Sequence, residues 1–282
     1  MPDRLAVLAQ HLLPKQALTA LLGRLASAAG GAVTTAVIRG FVRRYGVDLS
    51  EAAEPDPARY RTFNDFFTRA LRPGVRPLAQ AAWVCPVDGA LSQCGALDGE
   101  RLVQAKGHAY TATALLGGDA GLAQRFLGGH YATLYLSPRD YHRIHMPATG
   151  RLVAMTHVPG ALYSVNPTTA RALPGLFARN ERVVCVFDGA HGPFVLVLVG
   201  ATVVGSMATV WHGVVNPPRP GTPRHWRYPA AEAPQLAQGA EMGRFLLGST
   251  VVLLLPPGPL AYNPQWAPGR AVRMGEAMAD PR

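Results

Sequence analysis

The stretch Glu241-Met-Gly-Arg-Phe-Leu-Leu-Gly-Ser-Thr-Val-Val-Leu-Leu-Leu255 closes on an unbroken aliphatic run. Val251–Leu255 reads as a strand buried on both faces. Just before it stands Gly248-Ser249-Thr250. A serine so placed marks where a chain can cut itself. Its hydroxyl can attack the preceding glycine carbonyl, and glycine has no side chain to obstruct the approach. If the resulting ester breaks by β-elimination, the serine becomes a pyruvoyl group, an electron sink made from the chain itself. Gly-Ser-Thr is equally an ordinary way to begin a strand, so the tripeptide alone leaves both readings open.

Working outward, similar short apolar runs recur at Tyr131–Leu136, Val183–Phe187, Phe194–Val199 and Thr202–Gly205, punctuated by glycine and proline. With 30 Gly and 25 Pro in 282 residues, long helices are not expected in this region, although 109–127 has room for one or two short ones. There is no glycine-rich phosphate loop, repeat or low-complexity tract. The expected fold class is α+β: a mainly antiparallel β body, residues 59–282, preceded by a helical segment, residues 1–58.

That N-terminal segment is amphipathic. Leu5, Leu8 and Leu12 share one helical face; Leu18, Leu21, Leu22 and Leu25 repeat at helical spacing; Val33, Val37 and Phe41 form a third set. Pro14 and Gly30-Gly31 are natural breaks. The longest uncharged run, Leu25 to Ile38, is 14 residues, short of the roughly 20 that a membrane span requires. Arg4, Lys15, Arg24, Arg39, Arg43 and Arg44 face only Asp3 and Asp48 within residues 1–50. Basic, amphipathic and too short to span describes a helix lying in a membrane interface; packing on the β body or on a second copy is the competing reading. Glu51–Pro57, acidic and with two prolines, reads as a linker.

The net charge of +10 suits an anionic partner. No basic run interleaved with aromatics points to nucleic acid, so an anionic membrane surface is the better match. Cys85, Cys94 and Cys185 are odd in number and lack paired spacing, which argues for reduced thiols rather than disulfides or a cysteine-rich zinc site. No signal peptide is recognisable, so the cytoplasm or the cytoplasmic face of a membrane is expected.

Four positions stand out for chemistry. Asp88 precedes Gly89, where a turn aspartate is the ordinary reading and a histidine-orienting carboxylate the functional one. His142 and His145 lie three apart among Arg139, Asp140 and Arg143; they share a face on a helical turn but not on a strand. No further ligands stand at metal-binding spacing, so no metal is expected. Ser249 completes a possible hydroxyl, base and carboxylate set. Arg139, Arg143 and Arg179 are candidate anion holders, and Tyr135, Phe177 and Phe245 candidate pocket walls. Structural roles compete for each.

Read together, Phe63-Asn-Asp-Phe-Phe67, Pro86-Val-Asp-Gly89, Gln104-Ala-Lys-Gly-His108, Tyr135-Leu-Ser-Pro-Arg-Asp-Tyr-His-Arg-Ile-His-Met-Pro147, Phe177-Ala-Arg-Asn-Glu-Arg182 and the Gly248-Ser249-Thr250 stretch resemble bacterial phosphatidylserine decarboxylases. The motifs run in order from Phe63 to Leu255; the first 50 residues and the tail after Pro256 add little. The resemblance implies a self-processing zymogen cut between Gly248 and Ser249 into chains 1–248 and 249–282 that stay associated. It implies Asp88, His145 and Ser249 as the self-cleavage triad, with Asp88 holding His145. It implies His142 in decarboxylation and a covalent pyruvoyl group at Ser249 as cofactor. The implied reaction converts phosphatidylserine to phosphatidylethanolamine at a peripheral, cytoplasmic-face membrane location, in a homodimer. A serine-nucleophile lipid hydrolase competes, but no Gly-x-Ser-x-Gly elbow surrounds Ser249. A non-catalytic membrane adaptor is the third reading.

Overall fold

Thr250–Leu255 is buried at every position and lies inside a large antiparallel sheet. The computed structural model describes residues 15–282 apart from 106, 203–205, 218, 220 and 247–249. Gly248 and Ser249, the Leu5–Leu12 helical set, Pro14, Lys106 and most of the Thr202–Gly205 run therefore lie outside the described residues. On one side Thr250–Leu255 pairs with Gly192–Val199, on the other with His130–Tyr135. Beyond Gly192–Val199 come Arg182–Gly189, Gly150–Val158 and Arg224–Arg227. Beyond His130–Tyr135 come Gly89–Ala96 and Ala271–Val272.

Side chains along a strand alternate between faces, and here both faces are covered, which is why the central strands read as continuous apolar runs. Val252 and Leu254 share one core with Val184, Val197, Leu115 and Phe177; Leu115 and Phe177 come from the short helices Ala112–Leu115 and Leu176–Arg179. Val251, Leu253 and Leu255 enter a second core with Ile144, Met207, Met242 and Phe245. Those four belong to a smaller sheet built from Gly213–Val214, Met207–Thr209, Glu241–Phe245 and Arg143–His145. The 109–127 region holds two short helices, Ala112–Leu115 and Ala120–Gln124.

Two longer helices, Lys15–Ser27 and Ala32–Tyr45, precede the sheets. The second ends at Gly46, whose left-handed φ of 66° lets its N–H reach the Val42 carbonyl. Ile38 is fully buried, and Phe41 packs edge-on against Phe63, Phe66 and Phe67. Those phenylalanines sit in the Phe63–Phe67 helix, started by a Thr62–Asp65 capping box. Leu21, Leu25, Val33 and Val37 remain exposed, Leu25 at 60% and Val33 at 71%. Among the described residues no single helix is long and apolar enough to cross a membrane; the two helices meet at a 115° bend. Glu51, expected in a free linker, is instead tied to the body by Arg76 and Arg273. All three cysteines are free thiols, with Cys85 and Cys185 buried.

Candidate active site

The site gathers where the Thr250–Leu255 strand begins. Thr250 faces Tyr135 on one neighbour and Val199 on the other. Tyr135 also faces Ala90, so Asp88-Gly89 arrives at the same sheet end. Gly89 is required there: a Cβ would stand 2.2 Å from the Tyr135 carbonyl oxygen. On the other side of the Gly248-Ser249 pair, the Phe245 N–H donates to the His142 carbonyl at 3.1 Å. Leu246 N–H donates to Ser206 O at 3.0 Å. The described neighbours of the pair are thus fastened to the segments carrying His142 and Tyr135.

His145 closes the Arg143–His145 strand, and its N–H donates to the Pro86 carbonyl, two residues from Asp88. Its Nδ1 lies 2.8 Å from the Gly239 carbonyl, so that nitrogen carries the proton. Nε2 then accepts from the Tyr141 hydroxyl at 3.0 Å. Burial pushes the imidazole below its ordinary pKa, opposed in part by the Gly239 carbonyl. The ring is neutral at neutral pH, with its lone pair turned to Tyr141. Burial also raises the Tyr141 phenol to about 12.

His142 stands just before that strand and has different partners from His145. Its ring is wholly buried and stacks on Phe67 with centroids 4.0 Å apart. Nε2 donates to Ser137 O at 3.1 Å; Nδ1 is buried without a hydrogen-bond partner. Burial, with the nearby Arg69 charge, pushes its pKa down to about 3.

Asp88 does not hold His145. Its carboxylate takes Arg76 Nε at 3.0 and 3.1 Å, Arg76 Nη2 at 2.5 Å and the Met274 N–H at 2.9 Å. The fork geometry of the guanidinium favours this two-pronged contact. Arg76 also reaches Glu51 at 2.7 Å. Asp88, Arg76, Tyr135 and Tyr141 line one cavity of about 540 Å³, together with Arg69 and Asp140. A smaller cavity of about 210 Å³ adjoins it, sharing Tyr135 and reaching Val165 and Phe177.

The other candidates scatter. Arg139 lines the larger cavity. Arg143 is committed to Glu241 and the Thr68 carbonyl. Arg179 stacks over Tyr163, and Phe245 is core. Sequence reasoning missed Arg76, Tyr141 and Arg69. Tyr141, four residues before His145, was the most visible of the three. It also missed a buried network: Glu181 accepts from His157 at 2.8 Å and from Arg219 at 2.9 Å. Burial alone would raise the Glu181 pKa, but those two hydrogen bonds outweigh it and hold the carboxyl low. The Glu181 carbonyl takes the Gly200 N–H, beside the Val199–Thr250 pair.

Among the described residues no group of three or more His, Cys, Asp or Glu is placed to hold a metal ion. The residues around the junction offer polar groups that fit a pyruvoyl group made from Ser249. Thr250 Oγ1, next in the chain, and the acceptor His142 Nδ1, on the segment bonded to Phe245, are both buried without a hydrogen-bond partner.

A family model described as phosphatidylserine decarboxylase matches residues 63–280, and one described as PSD matches residues 5–46. The chain is 70% identical over 280 residues to the phosphatidylserine decarboxylase proenzyme of Azoarcus sp. (strain BH72), covering 99% of this chain and 97% of that protein. It is 69% identical over 282 residues to the proenzyme of that name from Polaromonas naphthalenivorans (strain CJ2), covering 99% and 98%. With the Variovorax paradoxus (strain S110) proenzyme it shares 70% over 280 residues, covering 99% of each.

Proposed function

The chain belongs to the phosphatidylserine decarboxylase family, and from that membership we infer that it converts phosphatidylserine to phosphatidylethanolamine and carbon dioxide, using a pyruvoyl group made from Ser249. The convergence of Asp88, the Tyr141–His145 pair and the start of the Thr250 strand on one sheet end carries this reading.

In maturation, the neutral His145 is the base. Its Nε2 lone pair draws on the Tyr141 hydroxyl, which relays a proton from the Ser249 hydroxyl as that oxygen attacks the Gly248 carbonyl. Asp88 adds negative charge near His145 without touching it, favouring the imidazolium as it forms. Arg76 and the Met274 amide hold that carboxylate in place.

In turnover, a pyruvoyl group supplies a ketone that condenses with the substrate amine and takes up the electron pair released with carbon dioxide. His142 presents a neutral Nδ1 at this junction. Replacing the carboxylate by hydrogen consumes one proton from water; His142 would take it at Nδ1 and pass it to the carbon that has lost carbon dioxide, its low basicity favouring the second transfer. His145 can share this duty.

The exposed Leu25, Val33 and Val37 border an apolar groove of about 620 Å³ between the two N-terminal helices, and Leu21 is exposed on the first of them. With Arg24, Arg39, Arg43 and Arg44 on the same helices, they suit a peripheral seat on an anionic lipid surface. A homodimer fits the same reading.

Intact mass of the denatured protein, beside Ser249→Ala, tests the proposal. Two chains meeting at 248/249, the smaller lighter by the serine-to-pyruvoyl change, are expected, with the variant whole. A single chain that turns over lipid would overturn it and favour a hydrolase.

A further inference from the structure

Arg69 follows the Phe63–Phe67 helix, is 4% exposed, and lines the 540 Å³ cavity. Its Nη2 donates to the carbonyls of Arg139 and Asp140, at 3.1 and 3.3 Å. Nε and Nη1 are buried and have no hydrogen-bond partner. The Phe66 ring lies 5.5 Å from the guanidinium carbon. Every other arginine lining the cavity has a carboxylate near it. Arg76 is held by Asp88 and Glu51, Arg273 by Glu51, and the exposed Arg139 lies 3.9 Å from Asp140. Among the described residues, Arg69 is thus the lining cation without an ion pair. A buried cation with two idle donors is costly unless something completes it, and an anion entering the cavity would do so.

The substrate brings two anions, its carboxylate and its phosphodiester. A cation bonded to the carboxylate would hold back the charge that must leave it as carbon dioxide departs. The phosphodiester keeps its charge throughout, so binding it helps ground state and transition state alike. A guanidinium fork also matches two phosphate oxygens at once. We propose that Arg69 binds the phosphodiester of the lipid headgroup. The assignment rests on this cavity being the decarboxylation site.

The test uses mature enzyme in mixed micelles, with Arg69→Lys and Arg69→Gln. The comparison substrates are phosphatidylserine and a phosphate-free lipid, a long-chain ester of serine. KM for phosphatidylserine should rise about 10- to 100-fold in Arg69→Gln, the loss expected for a charge-assisted hydrogen bond. Its kcat should change far less than its KM, the mark of largely uniform binding, the residual change coming from the Arg69 charge that acts on His142. Arg69→Lys should recover part of the loss, and on the phosphate-free ester both variants should keep the wild-type KM. Inorganic phosphate should inhibit wild type competitively, a readout that needs no variant to fold. Equal losses on both lipids, a fall in kcat at constant KM, or no competition by phosphate would each overturn the assignment. Ala271→Trp, which fills the same cavity without touching charge, separates the two levels of inference. Loss of turnover with maturation intact supports the cavity as the site, and full activity removes the site reading and the Arg69 assignment with it.

Discussion

The Tyr141 hydroxyl stands 3.0 Å from His145 Nε2, while the other ring nitrogen faces the Gly239 carbonyl at 2.8 Å. Both nitrogens are therefore engaged, and the only basic lone pair reaches the cavity through a phenol. Tyr141→Phe should leave the ring anchored by Gly239 yet slow conversion of proenzyme to two chains by about 100-fold, the lower range for a lost acid–base group. Timed denaturing gels of freshly translated protein check this. Faster cleavage in the variant would mean that Tyr141 blocks the base instead of relaying to it.

His142 ties stability to acid. Its folded pKa is depressed to about 3 from an ordinary value near 6.5, so the unfolded chain binds the extra proton first. Its contribution is fully present above pH 6.5 and is lost as pH falls from there toward 3. Denaturant melts of Ser249→Ala protein should show stability declining through this window. His142→Gln should show a shallower decline.

Arg76→Ala should damage the fold more than an ordinary surface change. Asp88 and Arg76 are both largely enclosed, with side chains 11% and 6% exposed. Removing one partner strands the other, at a cost of about 3–5 kcal/mol. Chemical denaturation of Ser249→Ala protein with and without the change measures it. A loss under 1 kcal/mol would show that water reaches Asp88 freely.

Gly89→Ala should be worse tolerated than its size suggests. The added methyl meets the Tyr135 carbonyl, which is backbone and paired on both sides. Separation of the two strands by even a few tenths of an ångström disturbs the sheet end where the proposed cut lies. We expect a drop of about 1–3 kcal/mol and little self-cleavage, seen in a thermal melt and a gel.

The exposed aliphatic residues of the N-terminal helices should govern lipid contact. Changing Leu21, Leu25, Val33 and Val37 together to serine should abolish sedimentation with anionic vesicles while self-cleavage proceeds normally. Undiminished vesicle binding would assign contact to another surface.

Much of this architecture is legible in the chain, for identifiable reasons. Val251–Leu255 announces itself because a strand buried on both faces has no polar positions to interrupt it. The His142–His145 cluster is legible as polar residues beside an apolar run. Their different partners, Phe67 and Ser137 for one and Tyr141 and Gly239 for the other, are not, since they depend on where the strand starts. The partner of Asp88 is hidden for a different reason. It is fixed by Arg76 from a preceding loop and by the Met274 amide from the tail, a tail whose sequence shows little pattern. Ala271–Val272 pairs with Gly89-Ala90 and closes the sheet there. Glu51 looks like linker because its neighbours are acidic and proline-rich; only the fold brings Arg76 and Arg273 to it.

The Thr250–Leu255 strand is flanked by two partners from the larger piece along almost its whole length. A chain cut before it does not come apart, because release of the small piece would tear open the middle of the sheet. Assembly of the intact precursor is unimolecular, whereas reassembly of the cut form needs two molecules to find each other. If the chain is cut between Gly248 and Ser249 as proposed, the precursor folds once as a single molecule, and after the cut its melting should depend on concentration. The proposed maturation would then work as a ratchet, leaving an enzyme that persists by kinetic entrapment of its own fragment.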